Sequence, residues 1–228
     1  MRKLIIIPAY NESESIENTI RDIVETVPDF DYIVVNDCSR DNTLDILSSN
    51  RYAYLNLPIN LGIGGAVQTG YKYAYENGYD VAIQVDGDGQ HDVHYLADML
   101  HMMQEQGADM VIGSRFIEKE GFQSSKLRRV GISYFTFLIH LLTGITITDP
   151  TSGFRMINRN VMALYAKDYP RDYPEPESVV ALLKRKMKVK EIPVVMRERQ
   201  GGVSSIHMKR SVYYMIKVSL AILIEWIR

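Results

Sequence analysis

The 228-residue chain is 46% hydrophobic and 24% charged, which excludes a disordered or fibrous protein and suits one large domain, or one domain with an extension. A single cysteine, Cys38, excludes both an intrachain disulfide framework and a Cys-based zinc site. The net charge of −2 hides a split: residues 1–114 carry −12 and residues 115–228 carry +10, so the second half is expected to meet an anionic partner.

In chain order, KLIII (3–7) reads as a short buried strand that Pro8 ends. Its apolar run, Leu4 to Ile7, is too short for the core of a signal peptide. Residues 12–26 read as a helix with Asn11 as its cap, and DYIVVND (31–37) as a second strand. Asp41 is placed to cap a helix through Ser49, and RYAYLNL (51–57) is a third strand. A helix over 63–77, a strand over 80–85, a helix over 93–106 and a strand over 108–114 follow. This alternation predicts βαβ units and a mainly parallel sheet. The second half is less regular: a helix over 127–143, a loop and strand over 148–157, a helix over 175–187, a strand over 188–197, the loop RQGGVSS (199–205) and a C-terminal helix. No stretch is apolar enough to span a membrane; residues 130–148 and 212–227 come nearest, the latter interrupted by Lys217 and Glu225.

Ligands of such sheets bind at the carboxyl ends of the strands. Four polar stretches fall there: PAYNE, NDCSRDNT, DGDGQH and GSR. In DGDGQH, Asp86 and Asp88 with the amide oxygen of Gln90 suit a hard divalent cation, Mg²⁺ or Mn²⁺. An exposed Asp-Gly turn gives the same string. An EF-hand is excluded, because position twelve counted from Asp86 is Ala97. Tyr10 can stack on a base, Glu12 can accept from a ribose hydroxyl, and Asp37 can accept from a pyrimidine N–H. The plain alternatives are a proline-ended strand with a capped helix, and an Asx turn. The glycines of NLGIGGAVQTG (60–70) do not fit a dinucleotide fingerprint, since position 67 is Val. They read as sites of close approach, to a nucleotide or to a neighbouring element.

Together PAYNE, VNDCSRDNT, NLGIGGAVQTG, QVDGDGQH, VIGSR, DPTSGFR and EIPVVMRERQGGVSS resemble family 2 glycosyltransferases with the GT-A fold. Their order is most similar to the dolichyl- and polyprenyl-phosphate glycosyltransferases. The resemblance implies an α/β GT-A domain over 1–205 and an amphipathic helix over 206–228 that touches a membrane surface or another subunit. It implies that Pro8, Tyr10, Glu12, Asp37 and Gly62 bind the nucleotide-sugar, and that Asp86, Asp88 and Gln90 hold the cation. Arg199 would reach the diphosphate, and Ser114, Arg115, Arg128, Arg129 and Asp149 would border the acceptor. One departure is YPEPE (173–177), whose two prolines between acids those enzymes usually lack.

The expected reaction is inverting displacement at the anomeric carbon by a polyprenyl phosphate, with a UDP-sugar as donor. An anionic phosphate attacks unaided, whereas a sugar hydroxyl of a lipid-linked glycan needs a base, for which Glu175 and Glu177 are the candidates. A helix start with acids near its N-terminus explains the same two residues. A catalytically silent nucleotide-sugar-binding module is the third reading. Peripheral attachment to the cytoplasmic face of an anionic membrane is expected, with a homo-oligomer or a small membrane protein as further partners. No motif supports nucleic acid as a partner.

Overall fold

The computed structural model describes residues 1–120, 126–197 and 208–227. Among the described residues, seven strands form one sheet in the order β3-β2-β1-β4-β6-β5-β7. They are β1 (Lys3–Ala9), β2 (Asp31–Asn36), β3 (Tyr54–Asn56), β4 (Val81–Gln84), β5 (Met110–Ser114), β6 (Arg155–Asn158) and β7 (Val189–Pro193). The helices are α1 (Ile16–Thr26), α2 (Thr43–Ser49), α3 (Gly62–Glu76), α4 (Leu96–Gln106), α5 (Lys126–Thr143), α6 (Arg159–Lys167), α7 (Pro174–Lys184) and α8 (Met208–Ile227). The mainly parallel sheet is as the alternation predicts. Only β6 runs against its neighbours, β4 and β5.

Two buried clusters flank the sheet, because successive side chains of a strand point to opposite faces. Leu4 and Ile6 of β1 join α3, α5, α6, α7 and α8 on one side. Ile5 and Ile7 join α1 and α4 on the other. The central strands are therefore apolar on both faces, as a covered parallel sheet requires.

Two local expectations are corrected. Pro8 does not end β1, which continues to Ala9 in register with Asn36. Ile6 bonds on the β4 side through its carbonyl to Val85 N–H, 3.0 Å. Pro8 faces that same side, where β4 has already ended, so its missing N–H leaves no gap in the ladder. Helix α1 starts at Ile16 rather than at residue 12. Asn11 sits at φ 58 and is not its cap. Its side-chain oxygen instead accepts from Arg40 N–H at 2.8 Å, tying the first strand-end loop to the second.

Candidate active site

The polar loops meet as expected at the carboxyl ends of the strands, and they hold one another in place. Asp41 accepts from Ser13 N–H with one oxygen and from Thr43 N–H with the other, at 3.1 and 3.0 Å. Asp37 is 2% exposed and accepts from the N–H groups of Leu61 and Gly62 at 2.7 and 2.9 Å. Burial raises its carboxyl pKa, and those two N–H groups oppose the rise. Both carboxylate oxygens thus anchor the start of α3. Gly62 lies at φ +77 in that turn. The next glycines serve helix packing: a Cβ at Gly64 would lie 2.1 Å from the Pro170 carbonyl oxygen. Pro8 is buried at the end of β1, Tyr10 is exposed, and Glu12 accepts from the Ser15 hydroxyl at 3.0 Å.

The DGDGQH loop is more than an exposed turn. Asp88 is 6% exposed and accepts from Gln90 N–H at 3.0 Å. The Gly87 carbonyl accepts from the Thr19 hydroxyl of α1 at 3.1 Å. The Asp86 side chain stays 37% exposed, open to a ligand. Two further groups orient it. Gln84 Nε2 donates to Asp86 Oδ1 at 3.0 Å. His91 Nδ1 accepts from the Asp86 N–H at 3.0 Å, which leaves the other ring nitrogen, Nε2, 3.7 Å from Asp86 Oδ2. The His91 ring is buried and stacks on Phe154 with centroids 4.8 Å apart. Sequence reading assigned no role to His91 or Gln84. A glutamine inside the apolar run VAIQV was the only available signal for the latter.

Among the described residues, no three His, Cys, Asp or Glu side chains form a closed metal cage. One accessible carboxylate beside a nearly buried one, with a neighbouring amide, suits a Mg²⁺- or Mn²⁺-type ion that takes its remaining oxygens from a diphosphate.

Across the sheet, Arg115 binds Asp149 through both edges of the carboxylate: Nε to Oδ2 at 2.6 Å and Nη2 to Oδ1 at 2.8 Å. Asp149 is fully buried and Arg115 nearly so. The Ser114 hydroxyl pairs with that of Thr148 at 2.6 Å. Glu191 of β7 accepts from the N–H groups of Thr148 and Asp149 at 2.7 and 2.9 Å, and burial raises its pKa. Ser114, Arg115 and Asp149 therefore come together, but Arg115 and Asp149 bond to each other and the Ser114 hydroxyl bonds to Thr148.

Arg155, missed in the sequence, is fully buried at the start of β6. Its guanidinium donates to the carbonyls of Ser152, Pro150 and Glu175 at 2.6, 2.8 and 2.8 Å, and to the Ser178 hydroxyl at 2.9 Å. It thus joins the 149–154 loop to the first turn of α7. Burial raises the Glu175 carboxyl above its ordinary value, opposed by Arg155, with Asp86 and Arg128 close enough to contribute. Glu177 lies half-buried on the same turn.

A cleft of about 80 Å³ joins the two sides, lined by Asp86, Gln90 and His91 and by Arg115, Arg128 and Gly153 among others. Arg128 is exposed as a residue, but its guanidinium is crowded. Desolvation, then the Arg115 charge, lower its pKa. Arg128 thus brings a second guanidinium into the cleft beside Arg115, which Asp149 already pairs. Arg129, one position on, is exposed. Arg199 lies outside the described residues. A larger cleft, about 320 Å³, lies behind the loop between α1 and Arg197. Arg197 there bridges Asp22 and Asp92 at 2.7 and 2.8 Å.

Residues 4–164 match the family described as glycosyl transferase family 2. The chain is 31% identical over 218 residues to an undecaprenyl-phosphate mannosyltransferase of Micrococcus luteus, covering 90% of this chain and 88% of that one. It is 30% identical over 210 residues to a UDP-N-acetylglucosamine–dolichyl-phosphate N-acetylglucosaminyltransferase of Methanococcus voltae, covering 83% of each. A glucosyl-3-phosphoglycerate synthase of Mycobacterium tuberculosis, solved with Mn²⁺, UDP-glucose and phosphoglyceric acid, superposes with a TM-score of 0.76 at 15% identity, covering 99% of this chain and 79% of that one. At that identity the likeness speaks to the fold alone.

Proposed function

The chain belongs to glycosyltransferase family 2 and is a glycosyltransferase, and from that premise we propose that it transfers a sugar from a UDP-sugar to a polyprenyl phosphate at the cytoplasmic face of an anionic membrane. The observation that carries this reading is the position of Arg128. It lines the Asp86 cleft from the first turn of α5, and the outer stripe of that helix is apolar. Val130, Tyr134, Phe137 and Leu141 recur at helical spacing and are all exposed. On α8, Tyr213, Ile216, Leu220, Ile224 and Ile227 do the same. The two helices meet through Tyr134 and Ser219, whose hydroxyls are 3.1 Å apart, and through Phe135 against Tyr214. A cleft that holds two guanidinium groups and opens beside an apolar stripe suits a phosphate on a hydrocarbon chain.

In the reaction, a phosphate oxygen of the acceptor attacks the anomeric carbon. A new C–O bond forms as the bond to the nucleoside diphosphate breaks, and the electron pair leaves with the diphosphate. Asp86 and Asp88 would hold a Mg²⁺ or Mn²⁺ ion, whose charge stabilises that leaving group. Gln84 and His91 keep Asp86 aimed, and Arg115 and Arg128 hold the acceptor anion. The acceptor is already ionised, so no residue needs to remove a proton. The test is label transfer from UDP-sugars to undecaprenyl phosphate with Mn²⁺. A lipid-linked product is expected, and turnover only with a lipid-linked glycan would sink the reading.

The raised pKa of Glu175 favours a second reading, in which it is the base for a sugar hydroxyl. As a base it must be ionised, so the rate would fall as pH drops through that raised value. Under the lipid-phosphate reading, Glu175→Gln keeps activity within about tenfold and leaves the pH profile in place. A loss of ~10²-fold or more, with the acid limb gone, would establish the base instead.

Among the described residues no helix is long and apolar enough to cross a membrane. The exposed apolar stripes of α5 and α8 would support lateral attachment. The double variant Phe137→Glu/Ile224→Glu is expected to lose co-sedimentation with anionic vesicles while staying folded. Undiminished binding would remove these helices from the membrane face.

A further inference from the structure

Gln84 and Arg155 are direct cross-strand partners in the antiparallel β4–β6 pair. Opposed residues of such a pair point to the same face of the sheet. Both are polar, and both are buried at 1% exposure or less. Their bonds go in different directions. Gln84 reaches forward to Asp86, the carboxylate on the donor side, at 3.0 Å. Arg155 reaches to the 149–154 loop and to α7, the two walls on the acceptor side. The two halves also touch: a Cβ added to Gly153 of that loop would lie 2.8 Å from Gln84 Nε2 and 3.5 Å from Asp86 Oδ2.

Neither side chain is what packing alone would select. Gln84 Oε1 is buried and has no hydrogen-bond partner among the described residues, so half of the amide goes unsatisfied for the sake of one bond to Asp86. A leucine would fill the same place without that cost. Among the described residues, the Arg155 guanidinium hydrogen-bonds to three carbonyls and one hydroxyl, but to no carboxylate. A buried cation held in this way is costly. Its geometry is nevertheless specific, since one planar fork fixes the loop and the helix start at once.

We propose that Gln84 and Arg155 form a positioning pair that sets the separation of the two substrates, Gln84 by aiming Asp86 at the donor diphosphate and its cation, Arg155 by fixing the acceptor walls. The proposal deepens the lipid-phosphate reading and rests on it for its acceptor arm. Because their bonds diverge, each residue governs only one substrate.

The test is a pair of opposite defects. Gln84→Leu should weaken binding of UDP with Mn²⁺ at least tenfold, measured by titration calorimetry, and raise the acceptor KM by less than twofold. Arg155→Lys should leave UDP–Mn²⁺ binding within twofold of wild type and raise the KM for undecaprenyl phosphate at least fivefold. Should Arg155→Lys fail to fold, Ser178→Ala removes one of its acceptors with little change of volume. The same one-sided rise, at least twofold, is then expected. Parallel losses on both substrates in each variant would reduce the pair to ordinary structural residues and overturn the proposal. So would UDP–Mn²⁺ binding by Gln84→Leu equal to wild type. If the wild-type chain makes no lipid-linked product, the proposed function falls, and UDP–Mn²⁺ binding still decides this inference. A defect in Gln84→Leu with none in the Arg155 or Ser178 variant supports it, and any other pattern overturns it.

Discussion

Asp88→Asn is expected to abolish cation-supported donor binding and to lower kcat/KM by ~10²–10³-fold or more, the range seen when one electrostatic contact to a developing charge is lost. The substitution keeps the size and one acceptor oxygen, so the Gln90 N–H that Asp88 accepts at 3.0 Å still has a partner. What it removes is charge. Asp88 is 6% exposed, and a cation held between it and Asp86 would offset the repulsion of the two carboxylates. The mutant protein should stay folded while losing activity. Chelation of wild type should reproduce the kinetic defect, and excess Mn²⁺ should not rescue the variant. Calorimetry of UDP binding with and without Mn²⁺ checks each point. Unchanged, metal-responsive binding by the variant would take Asp88 out of the site.

The sequence made this loop conspicuous for a physical reason. Strands of a covered sheet are apolar, so polar residues at their carboxyl ends stand out, and their chemistry is read from residue type alone. The sheet itself was legible in the same way, through alternating apolar runs. What stayed hidden are the residues whose function depends on pairing between distant segments. Gln84 and Arg155 lie 71 positions apart and become neighbours only because β6 enters the sheet antiparallel beside β4. Nothing in RMIN or VAIQ states that pairing. His91 sits in the conspicuous DGDGQH loop, but its ring stacks on Phe154, one position before β6, which only that strand's place in the sheet brings near. Asn11 was misread for a related reason. Local pattern suggested a cap, and a contact to a loop 29 residues away took its side chain instead. The glycines of α3 posed the same ambiguity. Gly64 abuts Pro170, a contact no local pattern could reveal.

Asp149→Ala is expected to cost about 3–5 kcal/mol of folding stability, the usual result of removing one partner of a buried ion pair. The Asp149 side chain is 0% exposed and that of Arg115 9% exposed, and the two are joined at 2.6 and 2.8 Å. Without the carboxylate, the guanidinium stays in a poorly solvated place and loses its counter-charge. A domain holds about 5–15 kcal/mol in all, so the loss would take from about a fifth to all of that margin. Asp149→Asn should lose less, because the amide oxygen can still accept one of the two bonds. Urea midpoints at unchanged slope measure both losses. The two proposed roles of this cluster, acceptor binding and support, then separate. If Asp149 mainly supports Arg115, Asp149→Asn raises the acceptor KM in step with the midpoint it loses. If Asp149 met the acceptor directly, KM would rise while the midpoint stayed. A stability loss below about 1 kcal/mol for Asp149→Ala would show that the pair is solvated in solution and adds little to the fold.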